Sequence, residues 1–328
     1  MVGFVIRRIL WAIPTLLLVS IVAFVIIDLP PGDYLDVYIS NLTAQGIDLT
    51  TDQIEALEAR YALGKPLLQR YAQWMENILL HGDFGRSFKH QQPVSDLIWG
   101  RLQLTLILAL TTLMLTWITA LPIGIYSAVN QYSIGDYLFT TLGFIGLAIP
   151  NFLLALLLMY FAFKNYGYVV GGLFSPEYVE APWSWGRVLD LLSRMWIPVI
   201  IIGTAGTAGL IRTMRANLLD ELKKPYVITA RAKGLPEWKV ILKHPVRIAL
   251  NPFVSTVGWV LPQLVSGSVI VAVVLSLPTT GPLLLNALTS QDMYLAGAFI
   301  LMLSTLTVIG TLVSDLLLAW LDPRIRYE

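Results

Sequence analysis

The amino-acid sequence predicts an all-α integral membrane protein with about six transmembrane helices. Three observations carry this. The chain is 56% hydrophobic and only 13% charged over 328 residues, where soluble domains carry about 25% charged residues. Its mean hydropathy is +0.70. Uncharged runs of spanning length recur along most of the chain, and a spanning helix needs roughly 20 apolar residues. A net charge of +1 offers no footprint for nucleic acid. The absence of cysteine removes disulfide frameworks, thiol nucleophiles and thiolate metal sites.

The first run is Ile9–Ile27, preceded by Arg7 and Arg8. It is longer than the apolar region of a signal peptide and no A-x-A site follows, so it reads as an uncleaved anchor. Residues 30–100 form a polar segment that reads as two short helices. Thr50 and Gln53 suit a capping box. Gly64 suits a helix end and Pro66 the next start. Gly82-Asp83-Phe84-Gly85 ends that second helix. Such a segment serves as a lid over the bundle, a dock for a soluble partner, or both.

The second run, Leu102–Gly135, has its apolar part at about residues 104–129, and the third is Tyr137–Phe163. A loop, Lys164–Arg194, follows and carries Tyr168, Phe174, Tyr178, Trp183 and Trp185. Aromatic residues there suit a membrane-interface belt, or stacking on a ring-bearing solute. The fourth run, Met195–Ile211, ends at Arg212. The fifth, Ile248–Gln291, is too long for one helix and is broken by Leu277-Pro278-Thr279-Thr280-Gly281-Pro282. It reads as a helix over residues 251–275, then a re-entrant or surface loop, since non-helical backbone at membrane depth must be covered by protein or water. The sixth, Met293–Ser314, continues past Asp315 to Leu321.

Lys and Arg in short loops set orientation. Nine lie between the fourth and fifth spans, from Arg212 to Arg247; two precede the first span, and Arg324 and Arg326 follow the last. Six spans place all three clusters in the cytoplasm, with both termini inside.

The stretch from Asn217 to His244 is too polar for lipid and too regular for a linker. Pro225 suits a helix start, Gly234 a left-handed helix end, and Pro236 the first turn of another helix, with Glu237 at its positive end. Two short helices meeting at Gly234-Leu235-Pro236 and tied closely to two spans can transmit force to the bundle. The plainer alternative is a basic loop retained by anionic lipid.

Tyr226-Val-Ile-Thr-Ala-Arg-Ala-Lys-Gly234 resembles the EAA loop of ABC importer permeases, in the form used by the peptide and nickel branch. The three name-giving positions are Ile228, Thr229 and Ala230 here; the glutamate is absent, as is usual in that branch. Arg7-Arg8-Ile9-Leu10 with Ile13-Pro14-Thr15 and Pro31-Gly32-Asp33 resembles the branch's N-terminus, and Ala319–Tyr327 its C-terminus. The resemblance implies a type I ABC importer transmembrane domain, divided as residues 1–28 (first span), 29–100 (external helical segment) and 101–328 (core bundle, with a coupling segment at 217–247).

It further implies a permease that moves a small organic solute inward, an oligopeptide first of all, with oligosaccharide, opine or nickel as alternative cargoes. The implied partners are a second related permease, two ATP-binding subunits or domains, an external substrate-binding protein and the bilayer. ATP and magnesium belong on the partners, in keeping with the lack of a G-x-x-x-x-G-K-[ST] loop. Tyr226, Thr229, Ala230, Arg231, Ala232, Lys233, Gly234, Leu235 and Pro236 become the ATPase-coupling loop. Small Ala230 and Ala232 are expected to face the ATPase, with Tyr226 and Leu235 as anchors.

Two rivals stay open. An intramembrane enzyme finds little support, since only His81, His90 and His244 are present, without H-E-x-x-H or G-x-S-x-G. An ion-coupled carrier draws on Pro122, Pro150, Pro198 and Pro262 as helix breaks. Asp315, the one acid inside a span, is expected to form an intramembrane ion pair with Arg212, Arg215 or Arg247.

Overall fold

The computed structural model describes residues 2–28, 39, 43, 50, 53–54, 65–87, 89–167, 170–255, 269–290 and 292–321. The expected features at Pro31-Gly32-Asp33, Gly64, Tyr168, Pro262 and residues 322–327 lie outside them. The helices are α1 (Val2–Asp28), α2 (Leu67–Glu76), α3 (Val94–Val129), α4 (Ile134–Ala148), α5 (Asn151–Tyr166), α6 (Trp185–Leu222), α7 (Pro225–Ala232), α8 (Glu237–Lys243), α9 (Pro245–Ala249), α10 (Val269–Val274), α11 (Thr280–Thr289) and α12 (Met293–Leu321). Among the described residues, α1, α3, α6 and α12 each contain a helix long and apolar enough to span, and α4 with α5 makes a fifth if a bent pair is one span. The expected helix at 251–275 is described only at its ends, as helical residues 251–255 and as α10.

Three sequence expectations change in detail. The third span breaks at Pro150 into α4 and α5, which meet at 99°. Proline cannot donate its N–H and pushes the preceding residue out of the helical region, and Ile149 is extended, at φ −85° and ψ 120°. The loop after α5 ends at Ser184 rather than Arg194, because the Ser184 hydroxyl caps α6 by accepting from the Arg187 N–H. From there α6 runs unbroken for 38 residues, about 57 Å at 1.5 Å per residue. That exceeds the roughly 30 Å hydrocarbon core, so α6 also absorbs residues 217–222 of the polar segment.

On the amino-terminal side of α2, the Gln53 side chain accepts from the Thr50 N–H at 3.0 Å, the back-reaching half of a capping box. Past α2 the chain winds into a π-helical turn, Asn77–His81, and stops at Gly82, whose φ of 65° is left-handed.

Contacts divide the chain into two compact units. One comprises residues 1–10, 103–282 and 306–328. In one of its apolar clusters Leu173, Met195, Ile201 and Leu275 are nearly sealed from solvent. In another, Met214 and Leu218 of α6 meet Ile241 of α8, Val246 of α9 and Phe253. Helices α4 and α6 touch through small residues: a Cβ on Gly146 would lie 2.9 Å from Thr204 Cγ2, and one on Gly143 would meet Ala208. Small side chains let helix backbones approach closely.

The break between α10 and α11 lies in this unit, and protein covers it. Leu275, Leu277, Thr279 and Thr280 are all buried. The backbone there is satisfied locally: Leu277 N–H donates to the Ala272 carbonyl at 2.7 Å, Gly172 N–H to the Leu275 carbonyl at 2.8 Å, and Thr280 N–H to Thr105 Oγ1 at 2.9 Å. Irregular backbone at membrane depth requires this cover.

The other unit comprises residues 11–102 and 283–305. Phe24 of α1 packs edge-on against Tyr71 of α2, their centroids 5.6 Å apart. Asp292, before α12, is buried and accepts the Ser87 hydroxyl at 2.5 Å.

Candidate functional site

The coupling candidate is α7, the Gly234 turn and α8. Pro225 occupies the first turn of α7, where its missing N–H costs nothing. Gly234 N–H donates to the Arg231 carbonyl at 2.9 Å, and Gly234 adopts φ 75°, the left-handed conformation that ends a helix. No atom lies within 4 Å of a Cβ built there. The glycine is therefore required by backbone conformation and not by crowding. Pro236 precedes α8, whose first residue is Glu237.

Val227 and Ala230 of α7 and Val240 of α8 form a small buried cluster. This changes the role expected of Ala230. It is only 7% exposed and faces α8, so its small size permits the α7–α8 contact and not an approach to a partner. The outward face is instead Ile228, Thr229, Arg231, Ala232, Lys233 and Leu235, with Ile228 58% exposed.

Two polar contacts stiffen the element. The Arg231 guanidinium grips Glu237 across the turn, with Nη2 2.6 Å from Oε1 and Nε 3.0 and 3.1 Å from the two carboxylate oxygens. This hydrogen bond raises the Arg231 pKa and holds the Glu237 carboxyl below its ordinary range. The Tyr226 hydroxyl donates to Glu221 Oε2 at 2.5 Å, tying the start of α7 to the last turn of α6. Burial first, and then that bond, push the Tyr226 phenol well up. Tyr226 is thus partly engaged within the chain.

Asp315 of α12 does form an ion pair, but with a partner the sequence did not suggest. Its Oδ2 lies 3.1 Å from Arg8 Nε of α1. Arg215 instead holds Asp136 in a two-pronged bond, both N···O distances being 2.8 Å. The 131–136 turn has no Lys or Arg and so offers no orientation signal in the sequence. The available signal was Ser133 three residues before Asp136: the Ser133 hydroxyl accepts from the Asp136 N–H at 3.2 Å, a cap at the start of α4.

In the loop before α6, Phe174 and Trp183 pack edge to face at 6.3 Å. Both rings hold the Arg187 guanidinium, at 4.6 and 4.7 Å from their centroids. These two rings are used within the chain, while Trp185 is 83% exposed. Among the described residues no group of three or more His, Cys, Asp or Glu is placed to hold a metal ion.

Comparison with known proteins matches nearly the whole chain to one family. Residues 120–327 match the family model described as binding-protein-dependent transport system inner membrane component, and residues 1–109 match the model of its N-terminal part. The chain belongs to this family of transport permeases. The permease is 36% identical over 328 residues to the oligopeptide transport system permease protein AppB of Bacillus subtilis, with all of both chains covered. It is 32% identical over 328 residues to a putative peptide permease protein of Brucella ovis, covering 99% of each. It is 30% identical over 329 residues to the oligopeptide transport system permease protein OppB of Haemophilus influenzae, again over the full length of both. The permease is accordingly a multi-pass membrane protein of the type I ABC importer class and a transport subunit, and the α7–Gly234–α8 element falls inside the larger match.

Proposed function

We propose that this permease forms half of the membrane pathway of an ABC importer for oligopeptides. Paired with a second, related permease, it receives cargo from an external binding protein. Two ATP-binding subunits, which carry the ATP and magnesium, drive the movement inward. Both termini and the α7–α8 element lie in the cytoplasm of a cell that keeps this complex in its inner membrane. The observation that carries the reading is the element itself: an exposed helix with an apolar outward residue, Ile228, braced on α8 and joined at Lys223-Lys224 to a helix that runs back through the bilayer. The full-length relatives named for oligopeptide transport support the cargo. Engagement of Phe174 and Trp183 with Arg187 weighs against ring stacking on a sugar at that loop.

Mechanically, α7 would seat on the ATPase, and movement of that seat would pass along α6. Arg231–Glu237 and the Val227–Ala230–Val240 contact make α7 and α8 move together. The test is uptake of a radiolabelled oligopeptide into proteoliposomes holding the whole complex. ATP-dependent uptake that disappears without this chain supports the proposal. ATP-dependent uptake of nickel or an oligosaccharide, but of no peptide, overturns the cargo. Uptake driven by an ion gradient without ATP overturns the machinery.

A further inference from the structure

The Asp136–Arg215 pair joins the turn between α3 and α4 to the extension of α6. Asp136 is 2% exposed and Arg215 26%. The same carboxylate organises its own turn: it accepts the Tyr132 N–H at 2.9 Å and lies 3.4 Å from the Thr140 hydroxyl. Tyr132 is itself left-handed, at φ 66°, a conformation uncommon for a bulky residue and sustained only when neighbours fix it. A Cβ on Gly135 would lie 2.5 Å from the Tyr126 hydroxyl, so the turn is also closed against the end of α3.

Stability alone is a poor reason for such a pair. The buried Asp136 carboxylate and the half-buried Arg215 guanidinium lose much of their hydration, and well-packed apolar residues often serve the fold as well or better. What the pair supplies is a fixed two-pronged geometry between two elements. Arg215 stands two turns before the end of α6, and α7 begins only three residues after α6 ends. On the other side, Asp136 is in the first turn of α4, which touches α6 again through Gly143 and Gly146.

Resting on the coupling role proposed above for α7, we propose that Asp136 and Arg215 are positioning residues that fasten α4 to α6, so that displacement of the coupling segment moves both helices as one body. The pair stays closed through the cycle. Without it α6 slides on α4, and ATP is spent without import.

The experiment uses the reconstituted complex and a radiolabelled oligopeptide, and reads ATP hydrolysed per peptide imported. Asp136→Asn keeps the size and an acceptor for Tyr132 but removes the charge. Arg215→Lys keeps the charge and removes the two-pronged bond. Each is expected to raise the ratio about tenfold, within the range that coupling-network mutations reach, while the ATPase subunits stay bound in wild-type amount. The chain has no native cysteine, so Asp136→Cys with Arg215→Cys can be bridged by a short bifunctional maleimide, and the bridge is expected to bring the ratio back toward wild type. An unchanged ratio in both single variants overturns the proposal, even if less complex assembles, because a merely structural pair would change amount and not ratio. A bridge that arrests import overturns it as well. Failure of the wild-type complex to bind ATPase subunits is a separate result, and it refutes the coupling role and not the fastening.

Discussion

Arg231 and Glu237 close the coupling turn from opposite sides, six residues apart, with three N···O contacts between 2.6 and 3.1 Å. Arg231 lowers the Glu237 pKa. A carboxyl whose folded pKa is depressed gives stability that is complete above its ordinary value and lost as pH falls through the folded one. Both side chains are substantially exposed, 42% and 54%, so the contribution is at most about 1 kcal/mol. Spin labels at Thr229→Cys and Lys243→Cys should therefore give a narrow distance distribution at neutral pH and a broader one well below pH ~4. With Glu237→Gln the neutral-pH distribution should already be broad. A Gln variant as narrow as wild type would remove the clasp from the account.

Gly234→Val should uncouple ATP hydrolysis from transport while the protein still inserts. The open space around Gly234 leaves backbone conformation as the only cause. Left-handed backbone costs a residue with a Cβ about 1–2 kcal/mol, and β-branching adds to it. Gly234→Asn should be milder, since asparagine tolerates that region. The readout is substrate-stimulated ATPase activity of the assembled complex, and full stimulation with valine would remove the hinge assignment.

Much of this was legible in the sequence, for physical reasons. Proline and glycine act locally, so Pro225, Gly234 and Pro236 marked the ends of α7 and α8, and Gly82 the end of the helix after Pro66. Apolar runs located the long helices because lipid admits little else. What escaped were facts of pairing. Asp136 with Arg215 are 79 residues apart, and no local rule joins them. Arg8 with Asp315 required knowing that α1 returns to α12. A small residue such as Ala230 permits close approach, but composition cannot say of which neighbour. Val240 supplies that neighbour, and the sequence spacing of two short helices does not set their rotation.

Docking on the ATPase should therefore follow the outward face. Ile228→Glu should abolish crosslinking of the element to the ATPase while leaving the permease folded, because Ile228 makes no part of the buried α7–α8 cluster. Ala230→Trp should also break coupling, but by wedging α7 off α8, and so should broaden the label distances described above. Lys233→Gln should be mild, since rim charges contribute little. A pairwise cysteine scan checks this. Crosslinks from residues 131–136 with none from 226–235 would place the docking site elsewhere.

Topology has a direct test in a chain without native cysteine. A cysteine at Pro176 should react with an impermeant reagent in intact cells, and one at Lys224 only after the membrane is opened. The basis is the basic cluster from Arg212 to Arg247. Reaction at Lys224 in intact cells would invert the orientation and with it the coupling role.

Arg8 and Asp315 pose a question of asymmetry. Asp315 is 16% exposed and Arg8 46%. Without Asp315, Arg8 has room to extend its long side chain toward the headgroups. Without Arg8, Asp315 keeps a shielded carboxylate whose counter-charge has gone. Arg8→Gln should therefore destabilise the permease more than Asp315→Asn, by about 1–3 kcal/mol, the usual cost of an unsatisfied buried polar group. The double variant should recover part of that loss, because the two residues interact. Thermal unfolding of the purified complex measures all three. Proton coupling at Asp315 makes a different demand: import by Asp315→Asn would lose any dependence on a pH gradient that the wild type shows. ATP-driven import with a normal rate in Asp315→Asn, and instability concentrated in Arg8→Gln, is what an ion pair that only seats α1 against α12 requires.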